Sequence, residues 1–239
     1  MQEEWTERTE LLLGVEAMEC LRKAHILIVG IGGVGAYAAE MLVRAGVGEI
    51  TLLDADEVGI TNLNRQLPAL HSTLGCSKCV VMAERFRDIN PFVRVHVKEE
   101  FLKPETVSVL LDELSFDFVV DAIDTIAPKC ELIRECVRRK IKIVSSMGAG
   151  AKWDVSKVQY ASIWDTYHCG LSKAVRKRLQ KMGIRYKLPV VFSTEAADPK
   201  AVKLVQEQNK KSTCGTVSYL PAVFGCYLSS YVIRKLIRK

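Results

Sequence analysis

Apolar residues first keep the spacing of a helix and then fall into short runs. Over 10–22, Leu12, Val15, Met18 and Leu21 or Cys20 recur at three- and four-residue intervals, which predicts one amphipathic helix ahead of the core. The period then changes. HILIVG at 25–30, EITLLD at 49–54, FDFVVD at 116–121 and KIKIVS at 140–145 are short apolar runs, separated by helical stretches such as 36–45 and 78–89. Short buried strands alternating with helices predict right-handed βαβ units. The expected fold class is α/β, Rossmann-like, with a mainly parallel sheet and helices on both faces.

Beyond Gly150 the pattern is less regular. A strand at 158–164, a basic helix near 171–182 and a strand at 190–194 predict antiparallel additions in the C-terminal third. The polar, lysine-rich stretch 196–213 reads as a mobile surface loop. The chain closes on a helix that places Leu220, Val223, Phe224, Tyr227, Leu228, Tyr231 and Val232 on one broad face. Its tail, Arg234, Lys235, Arg238 and Lys239, suits a helix C-terminus.

Composition narrows the class. A chain of 239 residues that is 49% hydrophobic can bury one full core. There is no run of about 18 apolar residues, and the N-terminus MQEEWTERTE is acidic, unlike a signal peptide. A cytoplasmic protein with no integral membrane segment is expected. Eight scattered cysteines then read as reduced thiols. Only Cys76 and Cys79 form a C-x-x-C, without the second pair or the histidines of a zinc site, so no structural zinc is expected. The formal charge of +6 points to an anionic partner. It is concentrated: 171–187 carries Lys173, Arg176, Lys177, Arg178, Lys181, Arg185 and Lys187 with no acidic residue. A solvated face normally mixes both signs, so this run favours a polyanion.

The chemistry gathers after the first strand. Gly30, Gly32, Gly33 and Gly35 lie in GIGGVG between a strand and a helix, where glycines let the backbone approach phosphate at the positive end of the helix. Asp54 ends the next strand, in the place where a carboxylate accepts hydrogen bonds from ribose hydroxyls. Those features serve a nicotinamide dehydrogenase equally well. The discrimination comes from the segment that follows, with Asp56, Asn64 and Arg65, and from Lys78 at the start of the next helix. Arg65 and Lys78 can neutralise a triphosphate and assist departure of pyrophosphate, a charge that hydride transfer never develops. Asp121 and Asp124 arrive at the carboxyl end of a central strand, where a carboxylate can hold magnesium on a triphosphate.

Taken in order, GIGGVG, the D-x-D at Asp54 and Asp56, N-x-N-R-Q at 62–66, Lys78 and the D-x-x-D at 121–124 resemble the adenylating enzymes related to ubiquitin activators and to activators of sulfur-carrier proteins. Within that superfamily the chain looks most like the tRNA threonylcarbamoyladenosine dehydratases, through RTELLLG at 8–14, DINP at 88–91, AVRKRL at 174–179 and VFSTE at 191–195. The resemblance implies ATP and magnesium as cofactors, with Asp54 on the ribose, Asn64, Arg65 and Lys78 on phosphates, and Asp124 beside the metal and the reacting carboxylate. It also implies a homodimer in which Arg8 reaches the partner's nucleotide. The implied reaction adenylates the threonyl carboxylate of the modified tRNA adenosine, and a nitrogen of the same modification then closes a ring with loss of AMP. The expected organisation is one domain over 1–239, with an N-terminal helical segment (1–23), a nucleotide-binding core (24–150) and a tRNA-side extension (151–239). The basic run, from Lys173 to Arg185, is then the expected tRNA surface. Cys214 is the nearest counterpart of the family's downstream cysteine, and a sulfur or redox partner protein is left open. The competing readings are an activator of a sulfur-carrier protein, which commonly carries the second C-x-x-C missing here, a non-catalytic nucleotide sensor, and the dehydrogenase.

Overall fold

The computed structural model describes residues 4–207 and 210–238. In chain order it contains α1 (Glu7–Leu13), α2 (Val15–Lys23), β1 (His25–Val29), α3 (Gly35–Arg44), β2 (Glu49–Leu53), α4 (Lys78–Ile89), β3 (Arg94–Lys98), α5 (Val107–Glu113), β4 (Phe118–Asp121) and α6 (Ile126–Arg139). It continues with β5 (Lys142–Ser146), β6 (Val158–Ser162), α7 (Gly170–Lys181), β7 (Pro189–Ser193), β8 (Val202–Glu207), β9 (Lys210–Cys214) and α8 (Tyr219–Leu236). Seven strands form one sheet in the order β3-β2-β1-β4-β5-β7-β6. All its pairs are parallel except β6 with β7, the antiparallel addition expected in the C-terminal third.

Alternate residues of β1 feed opposite cores. Ile26 and Ile28 pack with Met18, Leu42, Phe86, Phe224 and Leu228, under α2, α3, α4 and α8. Leu27 and Val29 pack with Leu110, Leu132, Val175, Leu179 and Phe192, under α5, α6 and α7. Burial on both faces explains why the central strands are continuous apolar runs. Helices α3 and α8 cross closely at Gly225, where a Cβ would lie 2.6 Å from the Val34 carbonyl oxygen.

Two expectations are corrected and one strand is added. The helix over 10–22 is two helices, broken at Gly14 with φ of 85°. Met18 and Leu21 are buried, but Leu12 is 82% exposed and Val15 56%. Strand β3 was not read from the sequence, because RVHVK at a sheet edge needs no apolar run. The stretch 196–213, expected as a loop, holds β8 and most of β9, paired antiparallel; residues 208 and 209 lie outside the described ones, as does Lys239 of the basic tail. Among the described residues no helix is long and apolar enough to cross a membrane.

Candidate nucleotide-binding site

The site is built at the carboxyl end of β1. Gly30 has φ of 92°, and a Cβ there would lie 2.9 Å from the Ala122 carbonyl oxygen; a Cβ on Gly35 would lie 1.8 Å from the Gly30 oxygen. Only glycine permits that turn. No side chain caps the N-terminus of α3, so its unpaired N–H groups face the turn. Gly33 lies against Arg65 and Pro221, with a Cβ there 3.4 Å from Arg65 Cγ and 3.2 Å from Pro221 Cβ, whereas Gly32 looks into open space with Gln66 Nε2 at 3.9 Å.

On the β2 side the Asp54 carboxylate accepts from the N–H of Ile31 at 2.5 Å and of Asp56 at 2.8 Å, clipping the glycine turn to the end of β2. Lys78 Nζ donates to Asp56 Oδ2 at 2.7 Å; the lysine side chain is 4% exposed and the aspartate 67%. Arg65 donates to the Thr61 carbonyl at 2.9 Å and to Asn64 Oδ1 at 2.8 Å. Among the described ion pairs none gives Arg65 a carboxylate, and burial pulls its guanidinium below the ordinary value. Asn64 Nδ2 donates to the Thr216 carbonyl at 2.9 Å, tying this loop to the segment before α8.

On the β4 side the prediction for Asp121 is corrected. Its side chain is fully buried, its Oδ2 lies 2.9 Å from Lys129 Nζ and accepts from Ser145 Oγ at 2.6 Å, and its Oδ1 accepts from the Ile123 N–H. Lys129 also donates to the Ile123 carbonyl at 2.8 Å. Asp121 therefore braces the turn and does not line the site. That turn carries Asp124, which is exposed. A single exposed carboxylate fits magnesium, which keeps most of its waters and takes further oxygens from phosphates.

The sequence profile of the ThiF family matches residues 7–239. This chain belongs to the ThiF family. It is similar to the tRNA threonylcarbamoyladenosine dehydratase of Escherichia coli (strain K12), with 39% identity over 98% of this chain and 95% of that protein. It is also similar to the dehydratase of the same name from Bacillus subtilis (strain 168), with 38% identity over 97% of this chain and 94% of that protein. A crystal structure of the E. coli tRNA N6-threonylcarbamoyladenosine dehydratase in complex with ATP superposes with a TM-score of 0.90 at 37% identity, covering 98% of this chain and 94% of that one.

In this ThiF-family chain the basic helix is seated as the periodicity predicted, with Val175 and Leu179 fully buried and Lys173, Lys177, Arg178, Lys181, Arg185 and Lys187 exposed. Arg176 departs from the expected tRNA set. It is half-buried and donates inward, to the Thr166 carbonyl at 2.7 Å and to Thr166 Oγ1. Cys79 is buried with its thiol directed at the Asp54 carbonyl, and burial pushes it up to about 12. Cys214 is exposed and abuts Gly150, where a Cβ would lie 2.6 Å from Cys214 Cβ. Arg8 is exposed on α1. The one described group of side chains with metal-ligand spacing is His25, Glu49 and His96, at the opposite, amino end of the sheet, where Arg94 already pairs with Glu49. Sequence reasoning missed Lys129 and Pro221. A lysine inside an amphipathic helix and a proline in a distant one give no local signal of the carboxylate or the glycine turn they meet.

Proposed function

We propose that this chain, acting as one unit over 1–239, is an ATP-dependent dehydratase of threonylcarbamoyladenosine in tRNA, next to the anticodon. The observation that carries the reading is Arg65: a half-buried cation lying on the glycine turn, with no carboxylate of its own among the described ion pairs. A cation so placed calls for an anion. ATP supplies a leaving group that a free carboxylate lacks. The threonyl carboxylate oxygen bonds to the α-phosphorus as pyrophosphate departs, and a nitrogen of the same modification then attacks the acyl carbon, releasing AMP and a proton. The second step is intramolecular, so the protein has mainly to hold the two ends together.

In this reading Asp54 and Asp56 hold the ribose side, Asn64, Arg65 and Lys78 face the phosphates, and Asp124 carries magnesium. The exposed cations of α7 hold the tRNA backbone. Leu11 and Leu12, which stay exposed among the described residues, are buried in a homodimer that brings Arg8 to the partner's nucleotide, in the cytoplasm. No cysteine nucleophile is needed.

Arg65→Ala is expected to lower ATP–pyrophosphate exchange by at least ~100-fold while the fold stays intact; normal exchange removes Arg65 from the mechanism. AMP release with modified tRNA and none with a sulfur-carrier protein separates this reading from its closest competitor. Arg8→Ala chains mixed with Arg65→Ala chains should regain activity, and a proven mixed dimer without activity rules out the shared site.

A further inference from the structure

Trp153 is the most exposed aromatic side chain among the described residues, 70% exposed, yet its backbone is held on both sides. Its N–H donates to Glu195 Oε1 at 3.2 Å and Oε2 at 3.0 Å, and its carbonyl accepts from the Tyr219 hydroxyl at 3.0 Å. The next N–H, of Asp154, also donates to Glu195 Oε2, at 2.9 Å. The preceding side chain, Lys152, is buried and donates to the Ser193 carbonyl at 2.7 Å. A large apolar ring presented to water on a fixed pedestal is pre-organised for a partner.

Its neighbours form a path. Tyr219 opens α8, two residues before Pro221 on the glycine turn and three after Thr216, which holds Asn64. On the other side Glu195 follows Thr194, whose carbonyl accepts from His168 Nδ1 at 3.0 Å. The carbonyl can only accept, so Nδ1 carries the proton and the ring is fixed. His168 is held in the left-handed region, with φ of 52°. It meets the Tyr167 ring edge to face at 5.0 Å, and Tyr167 is anchored on Phe192 at 5.6 Å. Both precede α7 directly. Four exposed rings, of Tyr219, Trp153, His168 and Tyr167, are thus tied together through backbone hydrogen bonds at the carboxyl edge of the sheet, between the nucleotide turn and the cationic helix.

Unpaired RNA is bound by aromatic faces that stack bases beside cations that track the backbone. We infer that Tyr219, Trp153, His168 and Tyr167 are a stacking platform for the unpaired nucleotides flanking the modified adenosine, with Trp153 as its principal face. The inference rests on the proposed tRNA reading and adds to it the residues that hold the loop open. Charge favours RNA over an apolar protein partner: exposed Lys173 and Lys177 follow on α7, and the two carboxylates that flank Trp153 are turned onto the chain itself, Glu195 onto backbone N–H groups and Asp154 onto Ser156.

The test is steady-state turnover of modified tRNA by the full chain. Trp153→Ala should raise the tRNA KM roughly 5- to 100-fold, with ATP KM unchanged, and Trp153→Phe should recover most of the loss. The log–log salt slope should stay that of the unaltered chain in Trp153→Ala, because stacking releases no counterions. An unchanged tRNA KM, a Trp153→Phe variant no better than the alanine, or a change only in oligomeric state overturns the platform. If the unaltered chain fails to act on modified tRNA at all, the functional reading falls first, and the platform with it.

Discussion

Two lysine–aspartate pairs flank the glycine turn, one on each strand beside β1, and they are built in opposite ways. Under β4, Lys129 and Asp121 are sealed from water, with Ser145 and the Ile123 N–H donating to the carboxylate and the Ile123 carbonyl accepting from the ammonium. Beyond β2, Lys78 is as deeply buried, but its partner Asp56 is two-thirds exposed. The sealed pair has nothing left to give a ligand. In the open pair water already solvates the aspartate, so a phosphate can replace it on Lys78 at little desolvation cost. The same motif chemistry therefore serves position on one side and exchange on the other.

The sharpest way to break this contrast is to remove one member of the sealed pair. Lys129→Met leaves a buried carboxylate unpaired and should cost about 3–5 kcal/mol, read from the urea midpoint, whereas Lys129→Met combined with Asp121→Val should recover much of the loss. A single variant as stable as the parent chain would show that Asp121 is not fixed by Lys129. The matching change in the open pair should act on chemistry. Lys78→Met keeps an apolar stem in place and leaves Asp56 in water, so stability should change by no more than ~1 kcal/mol. Exchange of pyrophosphate into ATP should fall ~100-fold, equivalent to about 2.7 kcal/mol. A large stability loss without loss of exchange would reverse the assignment.

This contrast also marks what the sequence could tell. Glycine spacing, the strand-end aspartates and the cationic loop are local signals, and they placed the turn, Arg65, Lys78 and Asp56 together. The D-x-x-D at 121–124 gave no such guide, because which aspartate is buried and which stays exposed depends on Lys129, which the chain brings in from the next helix. The parallel sheet was legible because burial on both faces forces apolar runs, and β3 was not because an edge strand escapes that demand. The 10–22 period misled for a related reason. It marks an apolar face without saying what covers it, and Gly14 splits that face so that only Met18 and Leu21 reach this chain's own core.

The basic helix repeats the contrast at lower energy. Lys173, Lys177 and Lys181 are exposed, and their replacement by glutamine should lower the log–log salt slope of tRNA binding by roughly 0.7–0.9 for every phosphate that is no longer neutralised, with ATP affinity unaltered. Arg176→Gln should lower stability and leave the slope alone, because its guanidinium is spent on Thr166. Equal effects of the two changes on the slope would return Arg176 to the tRNA surface.

The smallest effect is expected at the far end of the sheet, where His25 is buried with its Nδ1 3.7 Å from Glu49 Oε1, a carboxylate it shares with His96 and Arg94. Burial pushes its imidazole below the ordinary 6.5, and the nearby charges work against one another, Glu49 and Asp117 favouring the proton and His96 opposing it. Arg94 holds the other oxygen of Glu49, and His25 Nε2 meets Thr51 Oγ1 at 2.8 Å. As pH falls through about 6.5 the unfolded chain takes up a proton at His25 that the folded chain still refuses. The unfolded state then binds more protons, so stability must decrease as pH drops from that value toward the lower folded one. Thermal unfolding between pH 7.5 and 5.5 should show a decline of no more than ~2–4 °C from this site, and His25→Gln, which keeps a polar group for Thr51 but cannot titrate, should flatten it. The acid limb set by Glu40 should remain, because burial raises that carboxyl while hydrogen bonds from Arg85 and Arg44 more than reverse the effect, leaving a group whose protonation costs stability only below the ordinary carboxylate range. An unaltered slope near pH 6 in His25→Gln would move the titration elsewhere and leave His25 a packing residue.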